Sequence, residues 1–101
     1  MTERRVAGAN FTIADTAAVP KGKKKLKTES QTVLAANPAR VEAVICNNGE
    51  SAVYIALGEP AVANEGIRLN KEGGTYVCTG YSGIITGITA SGEIEVCFSD
   101  V

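Results

Sequence analysis

From residue 31 onward, turn residues recur about every ten positions and cut the chain into apolar runs too short for anything but strands. The runs are QTVLAAN (31–37), VEAVICN (41–47), AVYIAL (52–57), IRL (67–69), TYVC (75–78), IITGIT (84–89) and EIEVCF (93–98). Between them lie Asn37-Pro38, the insert Asn47-Asn48-Gly49-Glu50-Ser51, Gly58-Glu59-Pro60 with AVANEG, and the turns NKEGG, GYSG and ASG. Two runs alternate cleanly. AVYIAL puts Val53, Ile55 and Leu57 on one face and Tyr54 and Ala56 on the other; EIEVCF turns Ile94, Val96 and Phe98 inward and Glu93, Glu95 and Cys97 outward. No stretch has the apolar period of a useful amphipathic helix. The pattern predicts an all-β fold, a small antiparallel β-sandwich of about seven strands over 31–101. Within it, ANPARVEAVICNNGESAVYIALG (36–58) reads as a hairpin that Asn47-Asn48-Gly49 reverses. Gly87 marks a bulge, a close backbone approach or simple slack.

Residues 1–30 read differently, as a basic N-terminal arm. Residues 1–27 carry Arg4, Arg5, Lys21, Lys23, Lys24, Lys25 and Lys27 against Glu3 and Asp15, whereas 28–101 carry three basic residues against nine acids. A net charge of −1 therefore conceals a basic arm before an acidic body. That division favours contact between one copy's arm and another's body, or with an acidic partner. FTIAD (11–15) has the alternation of a short strand, with Phe11 and Ile13 on one side, while Val19-Pro20 and KGKKKLK interrupt any longer element. The lysine run reads as a solvated loop or an interaction arm. A nucleic-acid tail is disfavoured, because Phe11 is the arm's only aromatic and nothing interleaves the lysines for base stacking.

With 101 residues there is room for one domain, and with 5% aromatics and no Trp its core must be Val, Ile, Leu and Ala. A domain this small leans on partners for stability. No apolar run approaches a membrane span, and MTERRVAG lacks the hydrophobic region of a signal peptide, so a cytosolic protein, or part of something assembled there, is expected.

Enzymatic readings fare badly. The chain has no His, so a Ser or Cys nucleophile would need a Lys or carboxylate base, and no segment arranges one. Glu93 and Glu95 share a strand face, where outward carboxylates ordinarily serve solubility and edge protection. NKEGGT and TGYSG match neither a phosphate loop nor a dinucleotide fingerprint. Cys46, Cys78 and Cys97 are too widely spaced for a zinc motif and read as reduced strand residues, with Cys97 a candidate for an intermolecular contact. No catalytic, cofactor-binding or metal-ligating residue is expected. Tyr54, Tyr76 and Tyr81 offer the one alternative ligand face, of the kind that stacks on sugars.

The order Thr32-Val33-Leu34, Ala36-Asn37-Pro38, Arg40, Asn47-Asn48, Val53 to Gly58, Gly66-Ile67, Leu69, Gly80-Tyr81 and Gly83, closed by an alternating last strand, resembles small tailed-phage virion proteins. These are β-sandwich head decoration, cement or head-fibre proteins. The resemblance implies a non-enzymatic structural protein on the outer capsid surface of a virion, made in the bacterial host cytoplasm. It also implies the major capsid protein and neighbouring copies as partners, and a homotrimer. On that reading Arg4, Arg5, Phe11, Ile13, Lys21, Lys23, Lys24, Lys25 and Lys27 form the capsid or subunit interface. The alternatives are a receptor- or carbohydrate-binding module of a fibre or tail, and a neck or tail adaptor.

Overall fold

The computed structural model describes residues 21–101, and every regular element among them is a strand. There are eight: β1 (Lys21–Leu26), β2 (Gln31–Leu34), β3 (Glu42–Asn47), β4 (Val53–Leu57), β5 (Ile67–Leu69), β6 (Thr75–Thr79), β7 (Ile85–Thr89) and β8 (Ile94–Asp100). They form two four-stranded sheets, ordered β1-β8-β3-β6 and β2-β7-β4-β5, with every pair antiparallel. The pairs β1·β8, β2·β7, β3·β6 and β4·β5 nest around the 58–66 connection like one long hairpin rolled up, and β8·β3 and β7·β4 complete the sheets. This is jelly-roll wiring.

The all-β sandwich is as expected, and the seven strands after residue 30 lie where the apolar runs put them. Two expectations are corrected. The lysine run is strand β1, in register with β8 from Lys21↔Ser99 to Leu26↔Ile94. The arm/body boundary expected at residue 30 thus falls between β1 and β2, inside the sandwich. Leu26 anchors the strand with no exposed surface, and charge does not oppose a strand at a sheet edge, where lysine stems reach water on either side.

The second correction concerns 36–58. Its two strands do not pair: β3 belongs to one sheet and β4 to the other, so residues 48–52 cross between layers. Asn47 determines the crossing. Wholly buried, its amide donates to Ser51 O at 2.8 Å and Leu69 O at 3.1 Å, while its Oδ1 accepts from Gly49 N–H at 2.9 Å. The one pair of consecutive strands is β4·β5.

Leu26, Ile45, Val53, Ile55, Ile85 and Val96 meet between the sheets with no exposed surface. Gly87 is a close approach: a Cβ there would sit 2.7 Å from Leu26 Cδ1 and 3.0 Å from Val33 Cγ2. The register irregularity lies instead on β2, between Thr32 and Leu34.

Candidate functional site

Strand β1 is an outer edge of its sheet, and strand alternation fixes where its lysines go. Lys21, Lys23 and Lys25 lie opposite Ser99, Cys97 and Glu95 on the outer face, whereas Lys24 lies opposite the inward Val96; all four are exposed. Lys27 follows the strand, and its carbonyl accepts from Thr89 N–H. The Lys23 ammonium comes within 3.8 Å of the Glu95 carboxylate, an exposed pair that contributes little to stability. Beside this edge a depression of about 530 Å³ runs along β8, lined by Lys21, Lys23, Val44, Cys46, Cys97 and Ser99. Val77, cross-strand partner of Val44 and 52% exposed, extends its apolar side toward β6.

The other sheet's outer face is covered. The 58–66 connection folds over it, packing Ala61 against Tyr54 and Ile88. Thr86 Oγ1 donates to Glu59 O at 2.6 Å, Tyr54 OH donates to Asn64 Oδ1 at 3.0 Å, and Ala61 N–H donates to Ser30 Oγ at 2.8 Å. Within the described residues one sheet face is covered by its own chain, and the other is bare, apolar at its centre and basic along one rim.

The remaining sequence candidates disperse. Tyr54 is buried under the 58–66 connection. Tyr76 is partly buried against the main core, where burial pushes its phenol above the ordinary range and the neighbouring Cys78 thiol adds to the rise. Tyr81 lies in the 80–84 connection and donates to Ile84 O at 2.8 Å. Tyr54 thus belongs to the cluster under the 58–66 connection, whereas Tyr76 and Tyr81 both pack against the main core. Arg4, Arg5, Phe11 and Ile13 lie outside the described residues. Cys78 is buried, whereas Cys46 and Cys97 stand directly opposite each other on the bare face. The outward position of Cys97 was legible from alternation; its neighbour was not, because nothing in the spacing says that β3 pairs with β8.

One polar cluster was missed from sequence. Arg40, only 6% exposed, donates through Nε to Asp100 Oδ1, through Nη1 to Gly83 O and through Nη2 to Ala35 O, each at 2.8 Å. The Arg40 hydrogen bond, aided by Asn37, holds the Asp100 carboxyl below its usual range. The guanidinium is thereby committed to tying the 35–41 and 80–84 connections to the end of β8, a structural clamp. The only available signal was a lone arginine after a proline turn in an otherwise apolar segment.

No protein-family model, no curated protein and no solved structure matches this chain.

Proposed function

We propose that this chain is a non-enzymatic structural protein of a tailed-phage particle, a decoration or cement protein that binds the outer capsid surface through its basic N-terminal side. The observation that carries the reading is the lysine-rimmed outer face beside β1, bare among the described residues. Jelly-roll wiring recurs in viral capsid domains and equally in lectins and cupins, so the fold is compatible with this role without selecting it.

In this mechanism FTIAD adds as a strand to a neighbouring copy or to the major capsid protein, with Phe11 and Ile13 toward the partner's apolar surface. Lys21, Lys23 and Lys25 meet acidic groups on that partner, chiefly accelerating and orienting the encounter. Binding to the assembled shell stabilises both the small domain and the lattice by mass action. Copies gather as a homotrimer.

Co-sedimentation with expanded, undecorated heads tests the proposal. The wild-type chain is expected to pellet with heads in a salt-sensitive manner, and Lys21→Glu/Lys23→Glu/Lys25→Glu to remain in the supernatant with its β circular dichroism intact. Equal decoration by the charge-reversed chain would remove β1 from the interface. Failure of the wild type to bind heads, with density for it at the neck or tail instead, would replace the capsid reading by an adaptor.

A further inference from the structure

The geometry points to Cys46 and Cys97 as a thiol–disulfide exchange site, whose reactant is a small anionic disulfide of the oxidised-glutathione class. Three observations converge on it, none depending on the capsid reading. The two residues are Cα partners across β3 and β8. Both are unpaired and only partly buried, unlike the buried Cys78. Both also line the open depression, with Lys21 and Lys23 at its border. Two ammonium groups there favour the approach of an anionic disulfide.

The hydrogen-bond register says what kind of bond would form. Glu42 and Val101 exchange both backbone bonds, at 3.3 and 2.8 Å, and Asn48 N–H donates to Glu95 O at 3.0 Å. Opposed residues in an antiparallel pair alternate between bonded and non-bonded positions, so stepping by two from Glu42/Val101 makes Cys46/Cys97 a hydrogen-bonded position. The Cα atoms then stand about 5.5 Å apart, inside the range of disulfides, about 4.4–6.8 Å. The Cβ atoms of such a pair lie near the wide end of roughly 4.5–5.5 Å, against about 3.8 Å in a disulfide. The bond can close, but only by drawing β3 and β8 together by about 1 Å or more. A bond under that strain is readily reduced again, which makes this a site of exchange, not a permanent staple.

The chemistry balances without a further reactant. One cysteine, having lost its proton, attacks oxidised glutathione, forms a mixed disulfide and releases one glutathione thiolate. The second cysteine, deprotonated in turn, attacks the protein sulfur of that mixed disulfide and releases the other glutathione. The two departing thiolates take up the two protons. Two protein thiols are oxidised to one disulfide, and one oxidised glutathione is reduced to two thiols.

The test equilibrates the folded full-length chain in buffers of graded reduced-to-oxidised glutathione ratio, quenches with an alkylating reagent and maps peptides by mass spectrometry. Expected is a monomer lighter by two hydrogens, with the Cys46 and Cys97 peptides joined, Cys78 alkylated only after unfolding, and full reopening in excess reduced glutathione. In Cys97→Ser the glutathione adduct on Cys46 should accumulate, because nothing displaces it. Three results would overturn the inference: both thiols free at the most oxidising ratio, adducts on wild-type chain that never close, or a link found only between chains. A bond that survives excess reduced glutathione would equally refute the strained, exchanging character assigned to it.

Discussion

Arg40 donates to four residues, Asp100, Tyr81, Gly83 and Ala35, from a side chain with no exposed surface. Replacing it with leucine would leave three carbonyls and a carboxylate facing an apolar group. Breaking a buried pair from one side costs about 3–5 kcal/mol, so Arg40→Leu should lower the urea midpoint sharply, and a loss under about 1 kcal/mol would demote the clamp. Its partner sets an acid dependence. The folded carboxyl of Asp100 lies below its ordinary value, so its contribution is complete above the unfolded pKa of about 3.9 and disappears as pH falls through the folded value. Urea midpoints measured from neutral pH downward should therefore fall more steeply for wild type than for Asp100→Asn, which has no charge to lose. Asn47 poses the opposite problem, since it is wholly buried and its amide donates to two backbone carbonyls. Asn47→Asp would turn both donors into acceptors and bury a charge. It should cost more at neutral pH than Asn47→Ala, and the gap should narrow where the carboxyl is protonated.

At the level of elements, local signals and non-local ones part company. The strands after residue 30 were legible because turn residues bound each apolar run, and alternation placed Val53 and Ile55, or Ile94 and Val96, toward the core. Pairing was not legible. A polar insert such as 47–51 reverses a chain equally well within a sheet or between sheets, and the deciding contacts of Asn47 come from Ser51 and, from β5, Leu69. The lysine run misled for a related reason: charge disfavours burial, but β1 buries only Leu26 and otherwise needs just the ladder with β8. For the candidate site, the basic residues were legible as a run; the bare face beside them appears only once β8 brings Cys97 and Ser99 between β1 and β3. Gly87 offers a test at this scale, because its missing Cβ makes room for Leu26 from the opposite sheet. Gly87→Ala should destabilise by about 1–3 kcal/mol through overpacking. Adding Leu26→Val should recover part of that loss, giving a negative coupling energy in a double-mutant cycle. Strict additivity would show that the two sheets do not press on each other at this point.

For the molecule as a whole, the nested wiring joins the first described strand to the last, so the sheet containing β1 is complete only when both ends of the described chain have come together. Folds dominated by such non-local pairing typically fold in milliseconds to seconds. The same wiring separates two roles at the N-terminus. Residues 1–20 precede β1, and the described sheets, core and Arg40 clamp are built from residues 21–101. Deleting 1–20 should leave a cooperative urea transition with an unchanged midpoint. Deleting 1–27 removes Leu26 from the core, worth about 2–5 kcal/mol for a buried leucine, and also exposes β8 as an unpaired edge. That chain should unfold at markedly lower urea or aggregate. For the proposed capsid-binding role, head binding would divide the interface between arm and edge: loss on deleting 1–20, in a chain that still folds cooperatively, would assign the affinity to the arm. Retention after that deletion, together with loss in the charge-reversed β1 variant, assigns it to the lysine rim. A 1–27 deletion that folds with the wild-type midpoint would contradict the placement of β1 in the sandwich, because that deletion takes the buried Leu26 from the core and uncovers the edge of β8.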